Sequence, residues 1–544
     1  MIFAKEAYDP LMKCDYPDPD VIRVGDTYYM ISTTMYFMPG GEILRSHDLI
    51  HWEHAAFVYD RLDSTPAQKK EGGNNIYGCG MWAASLRYHK GTFYVCFVCN
   101  DTNKTYLYRS ENIEGPWRKS EIEGFYHDCS LLFDDDDRIY ISYGNSAIHV
   151  TELDADLKGP KKGGVDVTVL TDKEDAPLGY EGSHFYKING KYYLFFIHID
   201  KSIGMRTECC FVADRPEGEY KGGEIFEDDT MYKNMGAAQG GIVDTPSGKW
   251  YSIIFRDCGA VGRMPVLVPV TFDGDMPVFG TDKKVPDSIE VEDLKPGYEY
   301  APLTGSDDFK KTYGHFGFAP FWQFDHEPDM SLVEHDTSKG TVKLTTGKIC
   351  VNLMQATNTL TQRTMYPGCA AEVTVDGSGL KDGDYAGLCL LESNYGFIAL
   401  TRREGKLYIV TVKRTLETDS FWGERHDTKK GEEIASVPAE SETVRFRADA
   451  SFAYMDDKGH FSYSSEGALE GSSDSASKCS SGVGSEGSSD SASAGSSNGS
   501  MTPLGDDVKL EFRLDHFTGV RFGLFAFSTE SAGGSAVFSD FVME

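Results

Sequence analysis

The sequence predicts an all-β protein in two parts, a five-bladed β-propeller followed by a β-sandwich. Three observations carry this. A turn-then-strand cue recurs five times in the first half at long, roughly even spacing. The second half reads as short alternating strands separated by turn residues, without that spacing. The composition, with 57 Gly, 30 Tyr and 32 Phe in 544 residues, suits tight turns and pleated strands more than helical bundles. A chain this long exceeds a single hydrophobic core and divides into domains.

The five cues are VGDTYYMIST, KGTFYVCFV, DDRIYISYG, NGKYYLFFI and SGKWYSIIF. Each opens on Gly or Asp and runs into aromatic and β-branched residues, the pattern of a hairpin turn entering a strand. They place Tyr29, Tyr94, Tyr140, Tyr193 and Tyr251 at gaps of 65, 46, 53 and 58 residues. An all-strand repeat of about this length is the mark of propeller blades. Five copies predict a propeller over residues 1–300. The segment APLTGS, 301–306, reads as a linker. From 307 to 544, segments such as GTVKLTTGKICVNL, CAAEVTVD, TVRFRAD and VRFGLFAFST predict a sandwich. Within it, residues 464–503 are Ser, Gly and Ala with a few acids, too little apolar surface to fold, and are expected to be a disordered inserted loop.

The formal charge is -32 and the pI about 4.8, which argues against nucleic acid and anionic membranes, since both need basic patches. No apolar run reaches the roughly 18 residues of a membrane span. The N-terminal MIFAKEAYDP lacks the basic and apolar regions of a signal peptide. Twelve scattered cysteines form no disulfide framework. Cys96 and Cys99 make a CxxC inside a strand-like run, where odd spacing sends them to opposite faces, so core packing is expected. Free thiols without a signal sequence lead to a cytoplasmic expectation. The acidic run Asp134–Asp137 lies between two strand-like segments and reads as a hairpin turn rather than a calcium loop.

Eleven or twelve residues before each cue tyrosine stand Asp18, Trp82, Asp128, Glu181 and Gln239. If the tyrosines lie on the second strand of each blade, these five lie at the first, which lines the propeller axis. Three carboxylates and a tryptophan would then converge at one end of the channel. Glycosidic cleavage needs one protonated carboxyl at the leaving oxygen and one ionised carboxyl across the anomeric carbon. A third carboxylate beside the acid would keep it protonated by like-charge repulsion. Trp82 offers a face for a sugar ring. Propeller channels are also polar and wet for no catalytic reason, and a non-catalytic carbohydrate-binding propeller would keep the tryptophan while typically losing an acid.

Asp18 sits in YPDPD, Asp128 in YHDCSLLFD and Glu181 in YEGSHFYK. With ILRSHDLIHWE, GMWAASLRYHKGTFYV, GGIVDTPSGKW and AVGRMPVLVPV, these motifs resemble glycoside hydrolase family 43, the β-xylosidases and α-L-arabinofuranosidases, across most of residues 14–280. The resemblance implies Asp18 as general base, Glu181 as general acid and Asp128 as the residue that tunes the acid. It implies that Arg263, in AVGR, steadies the carboxylates, and that Tyr36 and Phe37, in STTMYFMPGG, wall a sugar subsite. Many members carry a histidine in a GHG segment, associated with a calcium in the channel. Here the segment is AQGG, leaving Gln239 as the candidate ligand. No cofactor is required otherwise. FAPFWQFDHEPD and NTLTQRT resemble the concanavalin-like sandwich of family β-xylosidases, which closes one side of the site. The expectation is an exo-acting, inverting hydrolase releasing xylose, and arabinose beside it, from xylo-oligosaccharides or arabinoxylan fragments. The alternatives are an α-L-arabinofuranosidase or the non-catalytic propeller. A retaining fructan hydrolase shares the five-bladed shape, but no WMNDPN-like segment is present. The expected partner is an oligosaccharide, with no nucleic acid and no membrane; a homo-oligomer is compatible with the sequence.

Overall fold

The computed structural model describes residues 1–173, 175–229, 235–416, 428–453, 456–465 and 501–544. The expected disordered insertion therefore falls, over residues 466–500, outside the described residues. Its two ends belong to one antiparallel pairing, Ser462 with Pro503 and Tyr463 with Thr502.

The first half is a five-bladed propeller of four-stranded antiparallel sheets. The inner strands are Asp20–Val24, Ser85–His89, Ser130–Phe133, Leu178–Ile188 and Ala237–Asp244. Each cue tyrosine lies on the second strand, and each faces a residue of the inner one. The pairs are Ile22 with Tyr29, Arg87 with Tyr94, Leu132 with Tyr140, Tyr186 with Tyr193 and Val243 with Tyr251. The repeat thus arises from one hairpin used five times. Outside the blades, Ile2–Ala4 pairs with Ser288–Glu290 and ties the two ends of the propeller together.

Near the axis the blades are joined by buried charge. Arg87 donates to Asp20 Oδ2 at 2.6 Å, to the Leu131 carbonyl at 2.8 Å and to Ser130 Oγ at 2.6 Å, while His184 Nδ1 lies 3.1 Å from Asp20 Oδ1. Burial opposes the Asp20 charge, but Arg87 and His184 outweigh it and hold the carboxyl below its ordinary range. Four blades are pinned this way beside Asp18. Cys96 and Cys99 are fully buried in separate clusters, and Asp134–Asp137 occupies the hairpin between Ser130–Phe133 and Ile139–Asn145.

The second half is a two-sheet sandwich. One sheet runs Glu432–Pro438, Lys406–Lys413, Gly396–Arg403, Asp384–Leu391, Arg521–Ser528, Leu360–Arg363, Gln323–Asp325, and ends on Phe37–Met38 from the propeller. The other contains Val333–Asp336, Thr341–Thr345, Ser535–Met543, Gly368–Asp376, Thr443–Ala453 and Asp456–Ser464. Leu388, Leu390, Ile398 and Leu400 meet Val373, Val375, Phe446 and Phe538 between the sheets. The outer face of the first sheet is apolar too: Cys389, Leu391, Phe397 and Phe525 pack on Tyr36, Phe37, Ile76 and Tyr77 of the propeller. Lys70 pairs with Asp325 at 2.6 Å and Arg363 with Glu42 at 2.7 Å, all four nearly fully buried. Breaking such a pair by removing one partner costs about 3–5 kcal/mol, so the two domains are firmly docked.

Candidate active site

Four of the five positions ahead of the cue tyrosines share a backbone device. Asp18, Asp128 and Gln239 have φ of 52°, 48° and 58°, the left-handed region that ordinary residues avoid. In the fourth blade the kink passes to Gly182, φ 69°, immediately after Glu181. The ladder shifts register around Glu181 and between Ala238 and Gly240, as at a β-bulge, which re-aims a side chain out of the strand. Gly182 is also needed for space, because a Cβ there would lie 2.5 Å from Gln239 Cδ.

Asp18 is 7% exposed. Its Oδ1 accepts from Arg263 Nη1 at 2.9 Å and its Oδ2 from Thr33 Oγ1 at 2.7 Å. Burial pushes the carboxyl up, and the guanidinium and hydroxyl oppose that by favouring the anion. Arg263 is itself fixed: Nε donates to Asp257 Oδ1 at 3.3 Å and the backbone N–H to Asp15 Oδ1 at 2.8 Å.

Burial raises Glu181 as it raises Asp18, but here a second carboxylate adds to it. Burial first, and then the nearby Asp128 carboxylate, push its carboxyl up to about 7. Asn145 Nδ2 donates to Glu181 Oε2. Side-chain donor atoms of His127, Asp128 and Glu181 all lie within 4.8 Å of one another. Asp128 Oδ1 has no hydrogen-bond partner among the described residues, and His127 Nε2 is 3.7 Å from Oδ2. The Asp128 charge therefore raises Glu181, with His127 and Arg263 offsetting it only in part. Asp128→Asn removes that negative charge, favours the Glu181 anion and lowers its pKa. The alkaline limb of the kcat/KM profile is expected to move to lower pH by ~1 unit; an unmoved limb would count against this role.

Trp82 lies beside the acids, 5.8 Å between ring centroids from His127. Its other neighbour is Phe517 of the sandwich, stacked at 5.3 Å and 22°. Phe517 also covers Arg263, whose guanidinium carbon is 4.4 Å from its ring centroid and 4.5 Å from that of Phe255 on the propeller side. Asp15 joins the domains here: Oδ1 holds Arg263 N and Oδ2 accepts from Gly519 N at 2.9 Å.

Tyr36 and Phe37 correct the expectation of subsite walls. Each is 1% exposed. Tyr36 OH bonds Thr518 Oγ1 at 3.0 Å and His516 Nδ1 at 3.2 Å, and Arg521 lies over the Phe37 ring at 3.5 Å. Both belong to the propeller–sandwich interface, because Phe37 opens the edge strand of the sandwich sheet and Tyr36 immediately precedes it. Gln239 is buried at the axis, and its backbone N–H donates to Glu208 Oε2 at 2.6 Å. Glu208, a fully buried carboxyl pushed well up by burial, went unread in the sequence, as did His127, Asn145 and Phe517. His127 and Asn145 flank the motifs that were read. Phe517 follows the strand-like VKLEFRLD, and no spacing rule connects it to the first half.

Residues 7–277 match the model described as "Glycosyl hydrolases family 43", and residues 306–544 match "Beta xylosidase C-terminal Concanavalin A-like domain". A putative β-xylosidase of Xylanibacter ruminicola is 30% identical over 378 residues, which cover 68% of this chain and 69% of that protein. Among solved structures, a bifunctional GH43-CE protein of Bacteroides eggerthii is 38% identical with a TM-score of 0.84; all of this chain is covered and 64% of that one. A GH43 glycoside hydrolase engineered to display endo-xylanase and exo-arabinofuranosidase activity is 28% identical, TM-score 0.84, with 100% of both chains covered.

Proposed function

The chain belongs to glycosyl hydrolases family 43, and on that premise we propose that it removes xylose from the non-reducing end of xylo-oligosaccharides or arabinoxylan fragments with inversion. The observation that carries this is the different company kept by two buried carboxyls, a cation at Asp18 and a second carboxylate at Glu181. Glu181 is pushed up to about 7 by burial and Asp128, whereas at Asp18 the bonds from Arg263 and Thr33 favour the anion against the upward push of burial. Asp18 takes a proton from the water that attacks the anomeric carbon. Glu181 gives its proton to the departing oxygen, so the alcohol leaves neutral. Asp128 touches neither bond; it keeps Glu181 protonated until the leaving oxygen claims the proton, and it raises Glu181 again as product departs.

Phe517 and Trp82 form one stacked aromatic wall across the domain boundary. A wall supplied by a second domain supports a pocket open on one side, hence action on chain ends. Phe517→Ala is expected to raise KM for xylobiose about five- to tenfold, roughly 1 kcal/mol of ring contact, with kcat nearly kept; a KM within twofold of wild type would remove Phe517 from the subsite. Calcium would be held by Gln239 and Glu208, oxygen donors of the type it takes, Glu208 Oε1 having no hydrogen-bond partner among the described residues. When bound, it would add positive charge beneath the carboxylates.

The second reading, α-L-arabinofuranosidase, rests on the 28%-identical engineered enzyme with exo-arabinofuranosidase activity. Initial rates on p-nitrophenyl β-D-xylopyranoside and p-nitrophenyl α-L-arabinofuranoside, side by side for wild type and Asp18→Ala, decide between them. The xyloside is expected to be faster and both rates to vanish in the variant. A faster arabinoside names the second reading, and no activity on either substrate overturns both.

A further inference from the structure

The fourth blade carries a second constellation of donor atoms, on the side that packs against the third blade. His198 lies on the strand Lys191–Ile199, Cys209 on Thr207–Ala213 and Glu224 on Lys221–Phe226. The register puts them together: Cys209 pairs with Phe196, two residues from His198, and with Glu224 on its other side. A ring nitrogen, Sγ and a carboxylate oxygen of the three lie within 4.8 Å of one another.

His198 is the centre of the cluster. Its Nε2 lies 3.0 Å from Asp172 Oδ2, a buried carboxylate, which places the proton on Nε2. Nδ1 then presents a lone pair. It is buried, makes no hydrogen bond among the described residues, and faces Glu224 Oε1 at 3.3 Å. A ring nitrogen and a carboxylate oxygen this close in a desolvated place need a proton or a cation between them.

We propose that this cluster is a zinc site, with His198 Nδ1, Cys209 Sγ and Glu224 Oε1 as ligands and Asp172 as the outer carboxylate that orients the imidazole. Thiolate, imidazole and carboxylate together are a zinc donor set, whereas calcium and magnesium take oxygen ligands. Zinc bonds of about 2.0–2.3 Å need the donors to close by roughly 1 Å, a rotamer adjustment. A carboxylate behind a ligating histidine is the recurrent outer shell of such sites. The Glu224 side chain is 28% exposed, which leaves a path for the ion and a place for a water as fourth ligand. Burial, with Glu224 next, pushes the Cys209 thiol well up, so the thiol is protonated without metal. On binding, its S–H bond breaks, the S–Zn bond forms and the proton passes to solvent. No redox change is involved. The ion would cross-link three strands directly behind the acid, because Tyr180 stacks on His198 at 4.6 Å and immediately precedes Glu181.

Tag-free full-length protein is equilibrated with zinc, freed of excess by gel filtration, and its metal counted by mass spectrometry. About one zinc per chain is expected, lost in Cys209→Ser and in His198→Gln. Asp172→Asn should bind about 10- to 100-fold more weakly. Loading wild type with Co2+ should give a thiolate-to-metal charge-transfer absorption that Cys209→Ser lacks. That comparison also separates this site from the catalytic His127, Asp128 and Glu181, which include no thiol. A wild type that retains no zinc, variants that retain as much as wild type, or a cobalt spectrum without the thiolate band would each overturn the proposal. The wild-type spectrum decides it even if a variant does not fold.

Discussion

In the Glu181→Gln protein, hydrolysis of xylobiose is expected to fall by roughly 10³-fold in kcat/KM, while p-nitrophenyl β-D-xylopyranoside falls by about tenfold or less. A sugar alkoxide is a poor leaving group and needs its proton as the bond breaks. Nitrophenolate leaves unaided. Glutamine keeps the size of Glu181 and a polar oxygen toward Asn145, so the geometry of the pocket survives. The alkaline limb near pH 7 should disappear with the activated substrate, since the group that set it at about 7 is gone. Equal losses on both substrates would mean that Glu181 positions the sugar rather than protonating it.

Asp18→Asn is expected to lose on the order of 10³–10⁴ in kcat/KM on both substrates alike, because an amide cannot accept a proton from water whatever the leaving group. The contrast with Glu181→Gln is what assigns the two roles. Asparagine can still accept from Thr33 or Arg263, and Arg263 keeps Asp257 as a counter-charge. Thermal unfolding should therefore shift only modestly, by the loss of one charged partner, about 1–3 kcal/mol. Near-normal turnover of the aryl xyloside by this variant would remove Asp18 from the reaction.

Much of this arrangement was legible from residues close in sequence. The hairpin that makes each blade is local, so the cue tyrosines and the residue eleven or twelve places earlier recur at a countable offset. That offset found Asp18, Asp128 and Glu181 because the same kink precedes or enters the inner strand in each of their blades. What escaped depends on contacts across the chain. Tyr36 and Phe37 read as site residues from their neighbours in sequence, yet the partners that bury them, Thr518 and Arg521, are some 480 residues away. Phe517 reaches the site because the loop that bears it is held by Asp15, through Gly519, and by Tyr36, through His516 and Thr518. The cluster around His198 was hidden for a different reason. KYYLFFIHI and TECCFVA have the alternation of core strands, and the metal-type donors meet only once three strands are in register.

The most direct test of the central claim is the anomer of xylose first released from p-nitrophenyl β-D-xylopyranoside, followed by proton NMR before mutarotation. A water activated by Asp18 opposite Glu181 predicts that α-xylose appears first and β-xylose grows in later. If β-xylose appears first, Asp18 is a nucleophile that forms a glycosyl-enzyme, and the assignment of a base and an acid to these two carboxyls is wrong.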